Sequence, residues 1–243
     1  MSISRNKYQI KNHFRLRGMQ TTRLETFIDA AFAFATSMLV ISIGDIPENF
    51  PELIFALKQI PSCLSSFIII MLFWNGHRTW SRRYGLEDKS TVVISIILVF
   101  VLLTYIYPLR IIFSALFSWL SHGWLPSRFS LSSQQELSGL FIIYGLGMLA
   151  MGALMAWLYL LAKKRKNRLR LNQLELVKTD LEIASFSIVA LTGFASVLFT
   201  WLMPSNINIL GGFLYITLPV SLLWADRHFK KVEGKLKLTK RSM

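Results

Sequence analysis

Residues 23–45 read RLETFIDAAFAFATSMLVISIGD. From Thr26 to Gly44 only Asp29 is charged, and Asp45 and Pro47 close the run. About 20 helical residues at 1.5 Å rise cross a hydrocarbon layer of about 30 Å, so this stretch predicts a membrane span. Five more stretches follow: Gln59 to His77, Ser90 to Leu109, Leu137 to Ala162, Ile183 to Met203 and Ile209 to Ala225. The last two come from one long uncharged run, divided by Pro204-Ser205-Asn206 and Gly211-Gly212. Pro61 marks a break between the second span and a short amphipathic helix over Pro51 to Lys58. Barrel strands would need only about ten alternating residues each; these runs are continuous, which predicts an all-α membrane protein with six spans.

Composition agrees. The 243 residues are 53% hydrophobic and 16% charged, with a mean hydropathy of +0.47, more apolar than a soluble domain needs. A single cysteine, Cys63, forbids a disulfide within the chain, and four scattered histidines with one thiol do not make a closed zinc site.

Net charge is +14, and its distribution sets orientation, because loops rich in Lys and Arg stay cytoplasmic. The N-terminal segment, the loop after the second span, the segment after the fourth and the tail together hold 24 of the 27 basic residues. Lys58, Arg110 and Arg128 are left for the other side. Both termini are therefore expected inside. All seven tryptophans, at 74, 80, 119, 124, 157, 201 and 224, fall near predicted interfaces, where an indole satisfies both its apolar body and its N–H. The expected organisation is a basic cytoplasmic segment over residues 1–25, a transmembrane unit over 26–226 and a basic, solvated, partly disordered tail over 227–243. The apolar stretch Ile111 to Leu120 either extends the third helix or lies along the interface. The inner segment KKRKNRLRLNQLELVKTDLE (163–182) reads as a helix running on from the fourth span, and its basic start suits anionic lipid. Localisation in the cell (inner) membrane follows, with no role for nucleic acid.

No G-x-S-x-G, Walker loop, dinucleotide fingerprint or H-E-x-x-H is present, so an enzyme is not expected, nor a cofactor. Gly145-x-Gly147 reads as small-residue packing between helices. No T-V-G-Y-G loop exists to build a carbonyl filter. In the first span, Asp29 needs a partner or a watery cavity, and Arg23 and His77 are candidates; it could equally sit at the interface and pair locally. Phe34, Met38, Ile41 and Asp45 are spaced 4, 3 and 4 apart, with Ser37 beside them, and share one helix face. Such a face is either a packing seam or the wall of a pore.

The pattern R-x-x-x-F-x-D at Arg23, Phe27 and Asp29, with W-x-x-H at Trp74 and His77, resembles the transmembrane protein 175 family, specifically its single-module prokaryotic members. Six spans and chain length agree over roughly residues 20–226. The resemblance implies a potassium-permeable channel without the usual filter, in which four six-helix subunits surround an axis lined by the first helix. It further implies an inner-end network of Arg23, Phe27, Asp29, Trp74 and His77, a hydrophobic constriction at Phe34, Met38 and Ile41, and a pore hydroxyl at Ser37. Ile28 replaces the signature Ser, Phe34 a usual Ile or Leu, and Ser37 a Thr, with Thr36 one step earlier and about 100° round the helix.

The expectation is a homotetrameric channel passing K+, its outer mouth ringed by Asp45 and its inner rim on anionic lipid. Narrow apolar rings gate by dewetting, and hydroxyls replace part of a hydration shell. One rival is a secondary transporter or proton-coupled carrier using Asp29 and His77, though neither repeats nor discontinuous helices are evident. A second is a non-conducting scaffold.

Overall fold

The computed structural model describes residues 10–11, 14–44, 46–204 and 207–241. A two-residue hairpin, β1 (Ile10–Lys11) with β2 (Phe14–Arg15), precedes α1 (Arg23–Ile41), α2 (Phe50–Lys58), α3 (Ile60–Tyr84), α4 (Lys89–Leu120), α5 (Gln134–Lys164), α6 (Lys166–Leu169), α7 (Gln173–Leu202), a 3-10 segment (Asn208–Ile216) and α8 (Thr217–Arg241). Five helical stretches among the described residues are long and apolar enough to cross a membrane, with α2 and α3 counting as one.

Local chemistry explains the boundaries. Thr22, Asn49, Ser133 and Asn172 each accept a bond from the backbone N–H three residues on, satisfying a free donor of the first turn. Pro61 stands in the first turn of α3, where a missing N–H costs nothing. Gly85 ends α3 at φ 57°, the left-handed conformation that glycine adopts without a Cβ penalty.

One alternative is decided and two expectations are revised. α4 continues through Pro108 and Arg110 to Leu120, so the apolar 111–120 stretch extends the third helix beyond Leu109. The 163–182 segment is not one continuation of the fourth span. Arg170 turns left-handed at φ 47°, and Asn172 and Glu175 form a reciprocal capping box that starts α7 afresh. The tail is helical: α8 runs unbroken across 226/227 to Arg241, with Lys230 on Asp226 and Lys178 of α7 on Glu233.

The core lies between the helices. α5 and α7 form the most extensive pair, and small residues bring them together. A Cβ on Gly193 would meet the Gly145 carbonyl oxygen at 2.7 Å, and one on Gly152 would meet the Ala190 nitrogen at 2.8 Å. Gly147 faces a different helix, since its Cβ would overlap the Tyr105 ring of α4. Buried hydroxyl and indole groups tie neighbouring helices through backbone carbonyls: Tyr105 donates to Tyr144 O, Tyr159 to Gly76 O and Trp80 to Leu158 O. In an apolar solvent such bonds have no competing water.

The bundle has two different ends. At one, which we call the basic end, Arg15 and Arg17 of the N-terminal segment pair with Glu175, Arg83 with Glu182, Arg165 with Asp88 and Lys163 with Asp180. Phe14 is buried there between Tyr84 and the guanidinium groups of Arg17 and Arg83. At the far end the Gln59 side chain donates to Pro126 O, joining the α2–α3 junction to the 121–133 loop.

Candidate functional site

α1 divides into two stripes. Ile28, Phe32, Ala35 and Leu39 are buried against α3 and α4, at the 3–4 spacing of one helix face. On the opposite side Phe27, Phe34 and Ile41 are 53%, 57% and 67% exposed, and Arg23, Ala30 and Ser37 are exposed with them. One subunit therefore leaves a continuous, mostly apolar stripe of α1 uncovered from end to end.

The expected residues fall on this stripe unevenly. Phe34, Ser37 and Ile41 lie along it, whereas Met38 is half-buried at its edge and packs on the core. Thr36 is half-buried to the other side. Both hydroxyls donate to the Ala33 carbonyl, at 2.8 Å from Thr36 and 3.1 Å from Ser37, so neither is left as a free donor. Asp45 lies outside the described residues.

At the basic end of α1 the structure joins some of the expected network. The Trp74 indole N–H donates to Asp29 Oδ1 at 2.8 Å, which gives the half-buried carboxylate an acceptor role in place of a bare charge. His77 is buried and its Nε2 lies 3.2 Å from Ser95 Oγ on α4. Arg23 and Phe27 are exposed. Within one chain, then, the pair Asp29–Trp74 closes, His77 turns to Ser95, and Arg23 stands apart.

The strongest polar features are ones the sequence did not mark. Glu175, with a fully buried side chain, accepts from Arg15 and Arg17 and caps α7 at once. Arg110 is 6% exposed within α4. Its Nη2 donates to Gln59 Oε1 at 2.6 Å and its Nη1 to Ser42 Oγ at 3.2 Å. In the sequence Arg110 interrupts two apolar runs, Ser90 to Leu109 and Ile111 to Leu120, and the second run is the signal that a helix continues past the charge.

Residues 23–108 match the family model for the endosomal/lysosomal potassium channel TMEM175. That region holds the uncovered α1 stripe, Asp29, Trp74 and His77, and ends two residues short of Arg110. A potassium channel of Marivirga tractuosa is 34% identical over 230 residues, spanning 90% of this chain and 92% of that protein. The chain belongs to the TMEM175 family. A crystal structure of the potassium channel MtTMEM175, a threonine-to-alanine variant in complex with a nanobody–MBP fusion protein, aligns with a TM-score of 0.79 at 32% identity, covering 91% of this chain and 99% of that one. These TMEM175 relatives are channels, not enzymes, and the apolar helices of this chain make it a membrane protein.

Proposed function

We propose that this TMEM175 chain is one subunit of a homotetrameric, potassium-permeable channel of the cell's inner membrane, with six crossings and both termini inside. The observation that carries the reading is the α1 stripe, apolar and uncovered by its own subunit while the opposite face is packed. Four copies around an axis would turn those stripes toward one another. Phe34 and Ile41, with Met38 at the edge, would form the hydrophobic constriction, and the hydroxyls of Ser37 or Thr36 would stand in for part of the hydration shell. Conduction would use no T-V-G-Y-G loop and no cofactor, with K+ as the permeant ion and Asp45 near the mouth.

For the sixth crossing, the apolar run from Asn208 to Ala225 is short for a span. Its first half is a 3-10 segment, and at about 2.0 Å per residue there and 1.5 Å beyond, the run reaches about 32 Å. The basic end would face inward, where Lys163 to Arg170 meets anionic lipid. A proton-coupled carrier built on Asp29 and His77 gains no support, since the two bond to different partners, Trp74 and Ser95.

The test is flux of K+, Na+ and H+ through purified protein in liposomes, with Ile41→Asn beside the native chain. A polar side chain on the axis eases hydration of the constriction, so current should rise. If α1 is a packing seam instead, the same change buries an unsatisfied amide at a cost of about 1–3 kcal/mol, and assembled protein is lost with no gain in current.

A further inference from the structure

Arg110 is the one basic residue within the apolar length of α4, and it is almost completely buried. A buried guanidinium is costly unless its donors are satisfied; here the two terminal nitrogens find neutral acceptors, while Nε is buried without a hydrogen-bond partner. Ser42 Oγ accepts from Nη1 and Gln59 Oε1 from Nη2. Both relay the bond onward. The Ser42 hydroxyl donates to the Leu39 carbonyl at 2.6 Å, and the Gln59 amide donates to the Pro126 carbonyl at 3.2 Å. A single hydrogen-bonded chain thus runs from the last turn of α1, through α4, to the α2–α3 junction and the 121–133 loop.

Its two termini differ in consequence. Pro126 belongs to an irregular loop, but Leu39 stands between Met38 and Ile41, and Ser42 caps α1 immediately after Ile41. The last carbonyls of a helix carry partial negative charge, so a guanidinium reaching them through Ser42 is stabilised there as a cation. The planar fork is needed for this, because its two nitrogens serve two acceptors on different elements. A lysine would bring the charge without the geometry. Arg128 reinforces the same corner: its guanidinium lies against Gly44, which adopts φ 134°, and over the Phe55 ring, 5.2 Å from its centroid.

We infer that Arg110 is a positioning residue for the ion path: through Ser42 it holds the final turn of α1 against the loop, and so fixes where Ile41 stands on the uncovered stripe. This rests on the proposal that α1 lines the path. Arg110 touches no permeating ion; it acts by fixing the helix that does.

Single-channel recording in planar bilayers tests this, with assembled tetramer first isolated by size exclusion. Arg110→Lys and Arg110→Gln should alter unitary conductance or the K+ to Na+ permeability ratio several-fold, and to the same extent, because the fork rather than the charge is what counts. Ser42→Ala is the gentler variant, since it removes one hydroxyl from a half-buried position. It should shift the same quantity in the same direction, Ser42→Thr should restore it, and Ser42→Ala added to Arg110→Gln should produce no further shift. Native conductance and permeability in Ser42→Ala, recorded where Ile41→Asn does change the current, would overturn the role of Arg110 and leave the α1 path standing. If Ile41→Asn assembles and also conducts as the native chain does, the α1 path itself is wrong and the inference falls with it.

Discussion

The two ends of the bundle handle positive charge in opposite ways. At the basic end arginines and lysines meet carboxylates: Arg15 and Arg17 on Glu175, Arg83 on Glu182, Arg165 on Asp88, Lys163 on Asp180. At the far end Lys58 lies over the Trp124 ring at 5.0 Å, Arg128 over Phe55, and Arg110 on a serine and an amide. Carboxylates are present there too, but Glu52 and Glu136 accept backbone N–H bonds at the starts of α2 and α5. Sequence position explains the difference. The acidic partners of these pairs sit in the N-terminal part of α7 or in the 85–88 loop, alongside the basic clusters, whereas the far end has too few cations to need its carboxylates as counter-ions. The basic end is thus an ion-paired cap on the helices, and the far end a set of rings and amides that fix single positions.

The sharpest way to break this contrast is Glu175→Ala. The substitution strands two arginines and removes half of the capping box of α7. Removing one partner of a buried pair costs about 3–5 kcal/mol, so thermal unfolding of the purified protein in detergent should show a loss of that order. A loss below about 1 kcal/mol, the value of an exposed pair, would mean that the basic end is held by something other than its ion pairs.

Asp88 gives a smaller effect with a defined pH dependence. Burial raises its pKa, but the Thr91 hydroxyl and the Arg165 guanidinium outweigh that and hold it below the ordinary aspartate value. A carboxyl whose pKa is lower folded than unfolded contributes stability above the unfolded value, about 3.9, and loses it as pH falls through the folded value. The native chain should therefore lose stability on acidification below about pH 4, relative to Asp88→Asn. At neutral pH, Asp88→Asn should cost about 1 kcal/mol, the upper range for a partly exposed pair. Equal acid sensitivity of the two proteins would show that Asp88 carries no such linkage.

Legibility followed the same division. The spans could be read because continuous apolar runs leave few other structures in lipid, and the break at Pro61 because proline suits the first turn of a helix. The face of Phe34, Met38, Ile41 and Asp45 with Ser37 beside it could be read from spacing only in part, since Phe34, Ser37 and Ile41 are exposed, Met38 is half-buried at the edge and Asp45 lies outside the described residues; Asp29 with Trp74 could be read from motif. The course of α4 past Arg110 could be read only as one of two alternatives, since a charge in an apolar run marks either an end or a buried site, and the acceptors Ser42 and Gln59, 68 and 51 residues away, decide between them. The break at Arg170 could not be read, since α6 ends there in a left-handed residue that is not the usual glycine: its N–H bonds to the Asn167 carbonyl and that of Leu171 to the Lys166 carbonyl.

The far end is tested most finely at Lys58 and Trp124. The ammonium stands 5.0 Å from the ring centroid, close enough for an attraction of about 0.5–1 kcal/mol at an exposed site. Trp124→Leu alone would not isolate it, because an indole near the interface also anchors the loop by its own partition. A double-mutant cycle with Lys58→Met separates the two, since anchoring survives removal of the cation and the pairwise contact does not. The coupling should be about 0.5 kcal/mol, measured as the change in unfolding free energy across the four proteins. No coupling would leave Lys58 solvated and Trp124 acting as an anchor alone. The far end would then owe its order to Arg110 and Arg128, and the proposed contrast with the basic end would narrow to that one corner beside α1.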